Sequence, residues 1–178
     1  MMSIAEGLAP VFGDFPRVLV LGSFPGPKSL GTGQYYGNPR NQFWKIIACL
    51  LGIPESLPYD QRTKELRCAG IALWDVIQSC ERDGAMDNRI RNARVNDIAA
   101  VLEQYPSIQM IGINGGTGGK YFFGAWPGGF PGVPAVVLPS TSPANARMTL
   151  EEKVGAWHCI TEGVQTLQSS PQSTNDDR

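Results

Sequence analysis

The sequence predicts an α/β fold: three layers, α/β/α, around a central, mostly parallel four-stranded sheet. Three observations carry that expectation. Four short apolar runs, each bounded by glycine, proline or a polar residue, read as buried strands. Segments with apolar residues at helical spacing lie between them. Strands that alternate with helices are joined by crossovers, and crossovers favour parallel pairing.

Arg17-Val-Leu-Val-Leu-Gly22 is the first strand, an apolar run closed by glycine. Ser23 to Gly37, rich in Gly, Pro and Tyr, reads as a shaped loop. Asn38-Pro39 predicts a helix start, with Asn as N-cap and Pro at the first helical position. Phe43, Ile46, Ile47, Leu50 and Leu51 follow at helical spacing until Gly52 and Pro54 stop them. A short polar helix is expected over Asp60 to Cys68, and a second buried strand over Ala69 to Asp75. A polar loop carrying Arg82, Arg89, Arg91 and Arg94 comes next. Ile98, Val101, Leu102 and Tyr105 mark an amphipathic helix ended by Pro106, and Ile108 to Ile113 form the third strand. Residues 112–132 hold nine glycines, too permissive for regular structure throughout, with a turn of helix at Lys120 to Phe123. Pro134 to Leu138 is the fourth strand. The last helix opens on the capping box Thr149-Leu-Glu-Glu152 and turns Val154, Trp157, Ile160, Val164 and Leu167 to the core.

A chain of 178 residues fits one domain with one continuous core, expected over residues 1–168, with a polar, disordered tail over 169–178. No apolar run approaches the roughly 20 residues that span a bilayer. Met1 to Pro10 lacks a basic stretch followed by an apolar one, so no secretory signal is expected. Cys49, Cys68, Cys80 and Cys159 show no CxxC and no metal-ligand rhythm, which predicts reduced thiols, a cytoplasmic setting and no bound metal. The formal charge of −1 argues against gripping long nucleic acid by charge alone. A small contact surface remains open, because a few N–H groups and hydroxyls can hold two or three phosphates.

Ligands in such folds bind outside the carboxyl ends of the strands. Those ends are Gly22–Gly26, Trp74–Asp75, Ile113–Gly116 and Leu138–Ser142, and the least ordinary residues of the chain gather there. Nucleotide motifs fail at these places. A P-loop reading of Gly119-Lys120 puts Asn114 where glycine is needed and Tyr121 where a hydroxyl is needed. A GxGxxG reading from Gly116 meets Tyr121 at its last position, and no GxSxG elbow exists. His158, the sole histidine, lies within the last helix and reads as structural or surface.

Two segments carry a positive signal. The first is Gly22-Ser-Phe-Pro-Gly-Pro-Lys-Ser-Leu30 with Gln34-Tyr-Tyr-Gly-Asn-Pro-Arg-Asn-Gln-Phe-Trp44; the second is Leu138-Pro-Ser-Thr-Ser-Pro-Ala-Asn-Ala146. Together they resemble the paired motifs of the uracil-DNA glycosylase superfamily, and their wording is similar to its hypoxanthine-DNA glycosylase branch. Gly70-Ile-Ala-Leu-Trp-Asp-Val-Ile77 and the Ser-Cys-Glu-Arg82 after it look like that branch too. The resemblance covers about residues 15–165. It implies a uracil-DNA glycosylase-like fold and an enzyme that flips a deaminated base from DNA and hydrolyses its N-glycosidic bond.

The resemblance also implies roles. Asn41 would be the catalytic amide that orients water, since the hypoxanthine branch has an Asn after its Tyr-Tyr-x-x-Pro pattern; the alternative is a helix cap. Ser23 stands where relatives carry a water-activating Asp or Asn, and Leu138 where others carry a catalytic His. Both departures point away from uracil. Gly22, Ser23, Phe24, Pro25, Gly26, Tyr36, Trp74, Asp75 and Asn114 would line the base pocket. Tyr35, Tyr36 and Phe24 can stack on an extruded base or serve as core aromatics. Asp75 can bind the base or simply end its strand. An indole at Trp74, where uracil-specific relatives use Asn, would reshape the pocket. Ser140, Thr141, Ser142, Asn145 and Arg147 would contact DNA, with Pro143 and Ala144 as an apolar wedge in the vacated stack; without the resemblance, this stretch reads as a turn. Arg89, Arg91 and Arg94 track the DNA backbone or form a solvated face.

The expectation is thus a monofunctional glycosylase with hypoxanthine as its preferred base, uracil and xanthine left open and a uracil-preferring, mismatch-type glycosylase as the alternative, with no cofactor and no Fe–S cluster. Its motifs offer no nucleophilic amine beyond Lys28. DNA bearing a deaminated base is the partner, no membrane is involved, and the chain acts as a monomer. Two rivals stand beside it: a damaged-DNA reader of the same fold that does not cut, and a small-molecule nucleoside hydrolase or phosphotransferase.

Overall fold

A computed structural model describes residues 4–82 and 89–165. Leu167 and the polar tail 169–178 lie outside them. In chain order the elements are β1 (Ile4–Glu6), β2 (Val18–Gly22), α1 (Pro27–Thr32), α2 (Phe43–Leu51), α3 (Tyr59–Cys68), β3 (Ile71–Asp75), β4 (Ile77–Arg82), β5 (Ile90–Val95), α4 (Ile98–Gln104), β6 (Met110–Asn114), α5 (Gly116–Ala125), β7 (Ala135–Leu138), α6 (Leu150–Trp157) and α7 (Cys159–Gln165).

The central sheet has the order β3-β2-β6-β7, and every pair in it is parallel. Alternation along β2 divides the core into two. Val18 and Val20 join Phe43, Ile46, Ile47, Leu66, Trp157 and Ile160 beneath α2, α3, α6 and α7. Leu19 and Leu21 face Ile98, Val101 and Phe122 of α4 and α5 on the other side. Three layers result, as the sequence predicts. Among the described residues no helix is long and apolar enough to cross a membrane.

Five local expectations fail. The Ser23–Gly37 loop contains α1, a six-residue helix that starts on Pro27 and ends on Gly33 in the left-handed region. Asn38 does not open a helix: its Oδ1 accepts from Arg40 N–H at 3.1 Å, closing a local turn, and α2 begins at Phe43. The polar loop after Asp75 instead supplies two strands, β4 and β5, which with β1 form a second, three-stranded antiparallel sheet, β1-β4-β5. Its alternation is hidden by register breaks between Ile77 and Ser79 and between Ser79 and Glu81, with Asn92 at φ 50°.

The nine-glycine segment forms a ten-residue helix, α5, rather than one turn. Two of its glycines permit close approach to the sheet. A Cβ on Gly118 would stand 3.0 Å from Ile113 Cγ2, and one on Gly119 would stand 2.8 Å from Val137 Cγ2. The last helix breaks at His158 into α6 and α7, and His158 is exposed there. Its capping box forms in both directions: Glu152 N–H donates to Thr149 Oγ1, and Thr149 N–H donates to a Glu152 carboxylate oxygen.

Candidate active site

The carboxyl ends of the four parallel strands meet in one place. Gly22 and Asp75 are register partners at the ends of β2 and β3, and Asn114 pairs with Leu138 at the ends of β6 and β7. Gly22 has no room for a side chain, because a Cβ there would overlap Asp75 Oδ1. The buried Asp75 also holds its strand end: its backbone carbonyl accepts from Asn96 Nδ2 at 2.8 Å.

Tyr36 closes over this floor. It adopts φ 57°, a left-handed conformation uncommon for an aromatic residue. That turn stacks its ring on Phe43, with centroids 3.9 Å apart and planes 23° from parallel. Its hydroxyl would lie 3.7 Å from a Cβ on Gly22. Burial, reinforced by the Asp75 carboxylate, holds that hydroxyl well above the usual tyrosine range, while the Asn114 side chain acts in the opposite sense. Tyr36 is therefore a neutral phenol at any working pH.

Asn114 braces the neighbouring loop. Its Nδ2 donates to Thr141 Oγ1 and its Oδ1 accepts from Thr141 N–H, both at 2.9 Å. Thr141 is fully buried, so among the expected DNA contacts it is the anchor and not a surface donor. Beyond it the chain emerges: Pro143, Ala144 and Arg147 are exposed. Ser142 N–H donates to Ser140 Oγ, Ala144 N–H to Ser142 Oγ, and Asn145 Nδ2 to the Ser140 carbonyl. These bonds curl the segment into a fixed turn with its apolar tip outward.

Asn41 sits two residues before the first residue of α2, not at a third helical position. Its N–H donates to the Asn38 carbonyl at 2.8 Å, and its Oδ1 accepts from Phe43 N–H at 2.9 Å. The capping role is thus real, and it pins the amide. The next residue, Gln42, donates its N–H to the Thr141 carbonyl at 2.9 Å. The residue that follows the pinned amide is thus tied to the Ser140 loop.

Other expected pocket residues are placed differently. Phe24 is buried against Ile77, Cys80 and Ile90 of the second sheet, and the Arg82 guanidinium carbon stands 5.0 Å from its ring centroid. Arg82 also donates to the Pro25 carbonyl at 2.6 Å. Phe24 and Pro25 thus anchor the loop from Ser23 to Gly26, with Ser23 buried in it and Gly26 capping α1. Tyr35 is a core aromatic, 3 % exposed. Trp74 is half-buried at the end of β3, touching both halves of the core. Arg89, Arg91 and Arg94 are all exposed, and the bulge at Asn92 turns Ile90 and Ala93 inward together.

Lys153, Gln42 and Asn96 escaped the sequence reading. Lys153 did leave a signal, since it falls four residues before Trp157 and seven before Ile160 on the stripe that helical spacing buries. Gln42 stood inside the first motif without a role, and nothing marked Asn96.

Known proteins resemble this chain in sequence and fold. The family model of the uracil DNA glycosylase superfamily matches residues 10–160. A protein of Methanosarcina acetivorans named hypoxanthine DNA glycosylase is 32% identical over 161 residues, 88% of this chain and 98% of its own. A protein of the same name from Methanosarcina barkeri is 31% identical over 155 residues, 85% of this chain and 94% of its own. A solution NMR structure from M. acetivorans, reported as a candidate uracil DNA glycosylase, superimposes with a TM-score of 0.78 at 30% identity, covering 91% of this chain and 99% of that one. With motifs, fold and relatives in agreement, the chain belongs to the uracil DNA glycosylase superfamily.

Proposed function

We propose that this protein is a monofunctional DNA glycosylase that extrudes a deaminated base, hypoxanthine first, and hydrolyses its N-glycosidic bond to leave an abasic site. The observation that carries the proposal is the pinned Asn41 amide, joined to the Ser140 loop through Gln42 and Thr141. The relatives' shared name supports the choice of base.

Glycosidic cleavage passes through an oxocarbenium-like transition state, with negative charge growing on the departing base. A sugar cation that forms early is captured by neutral water, so an orienting group suffices and a strong base is not required. The Asn41 Oδ1 has two lone pairs, and Phe43 N–H takes one. In this reading the other holds the attacking water. The Tyr36 ring stacks on the extruded base and Trp74 shapes the pocket against pyrimidines. The floor of Gly22, Ser23, Gly26, Asp75 and Asn114 lies beneath the base, and Pro143 and Ala144 fill the vacated stack. Ser140, Ser142, Asn145 and Arg147 hold the flanking phosphates. The protein works as a cytoplasmic monomer on damaged DNA.

Oligonucleotides carrying hypoxanthine, xanthine, uracil or a thymine mismatch, incubated and then cleaved with alkali, test the reading. Strand breaks are expected at hypoxanthine first. Trp74→Asn should shift the profile toward uracil, and an unchanged profile would remove Trp74 from recognition. Binding without strand breaks at any base would leave a DNA reader, and faster turnover of free inosine would leave a nucleoside hydrolase.

The exposed arginines of β5 give a separate expectation. If Arg91 and Arg94 track the backbone, the double variant R91E/R94E should weaken DNA binding and flatten its salt dependence by roughly one to two in log–log slope. Its excision rate at saturating enzyme should stay near wild type. An unaltered slope would return these residues to an ordinary solvated face.

A further inference from the structure

Lys153 of α6 is 1 % exposed, yet it carries an ammonium group. Its Nζ donates to Gln42 Oε1 at 2.6 Å and to the Asn145 carbonyl at 2.9 Å, and neither acceptor is charged. Burial pushes its pKa below the ordinary lysine value. A buried cation held only by neutral acceptors is costly, and an apolar side chain of similar volume is often no worse for stability. A stability argument alone thus gives little reason for lysine here.

Its position gives a better one. Asn145 belongs to the loop that presents Pro143 and Ala144, and Gln42 directly follows Asn41. One turn further along α6, Trp157 Nε1 donates to the Pro139 carbonyl at 2.9 Å. Two donors four residues apart on one helix face therefore grip both ends of the segment 139–145. Gln42 is the joint of the arrangement: its side chain accepts from Lys153 while its N–H donates to the Thr141 carbonyl.

We infer that Lys153 is a positioning residue for base excision: through Gln42 and Asn145 it sets the spacing between the Asn41 amide and the wedge loop. The inference rests on the glycosylase reading above, because that spacing matters only if a nucleotide is extruded between the two. A displacement of about 1 Å in such a pair of groups is enough to cost roughly 10²-fold in rate.

The test uses the full chain on duplex DNA with one deoxyinosine. Single-turnover excision at saturating enzyme, binding by fluorescence anisotropy, and thermal midpoint are measured for wild type, K153M, Q42L and K153M/Q42L. Each single variant is expected to lose roughly 10–100-fold in rate. Affinity should stay within about threefold; Q42L, which leaves the buried ammonium short of one acceptor, should lose stability while K153M and the double variant should not, so Tm should not track the rate across the three variants. The double variant should be no slower than the slower single, since both cut the same link. Multiplicative losses in the double variant would overturn the inference. So would a wild-type rate in Q42L, which tests the link even if K153M does not fold. A rate loss that merely follows falling Tm or affinity would overturn it too. Wild type that excises no base would defeat the glycosylase reading and this inference together; normal wild type with normal variants would defeat this inference alone.

Discussion

Replacing Asn41 by alanine is expected to lower single-turnover excision of hypoxanthine by about 10²–10⁴-fold while DNA binding changes only severalfold. The range is that of a positioned group acting on a proton or a water in the transition state. Binding survives because the Tyr36 ring, the loop hydroxyls and the arginines are untouched. The same substitution removes the acceptor for Phe43 N–H at the start of α2, so a stability loss of about 1 kcal/mol accompanies it. Asn41→Asp separates the two effects. Aspartate keeps the cap, and its charge is favourable at a helix N-terminus, so the fold keeps its stability and excision far exceeds that of the alanine variant. Full activity in Asn41→Ala would move the water-orienting role to another residue.

Asn114→Ala should produce a large loss of stability. Both ends of the Asn114 amide are bonded to fully buried Thr141, and alanine strands the Thr141 N–H and hydroxyl together. Leaving two buried polar groups unsatisfied costs about 2–4 kcal/mol. In a domain of this size that lowers the thermal midpoint by roughly 5–12 °C. The loop from Ser140 loses its anchor as well, so excision should fall at temperatures where the protein is still folded. Differential scanning calorimetry alongside the inosine assay checks both parts. A midpoint within about 2 °C of wild type would mean that a water or a rearranged Thr141 replaces the brace.

The central sheet was legible because its two middle strands are buried on both faces. Val18–Gly22 and Met110–Asn114 are buried at every position, and a continuous apolar run is the pattern such strands leave. The capping box of α6 was legible because both partners are local. What escaped depended on contacts distant in sequence. The glycines of α5 look like breakers until Ile113 and Val137 are placed against them. Register breaks in the β4–β5 hairpin erase the period that would have announced it. Asn38 closes a turn where its neighbour Pro39 suggested a helix cap, which moved the start of α2 by four residues. At the site, the motifs led to Asn41 and to the Ser140 loop, but they could not say which members line it. Phe24 supports the second sheet and Thr141 is an anchor; both assignments rest on partners 58 and 27 residues away, Arg82 and Asn114.

Tyr36 has a consequence for laboratory evolution of this enzyme. Its backbone at φ 57° lies where β-carbon crowding costs an L-residue roughly 1–2 kcal/mol, and where β-branched residues fare worst. Position 36 therefore offers few alternatives: valine, isoleucine and threonine bring strain, while glycine or asparagine relieve it and lose the aromatic face. Trp74 stands in an ordinary extended strand with no such restriction. A library selected to accept another lesion should diversify freely at 74 and return position 36 as an aromatic residue.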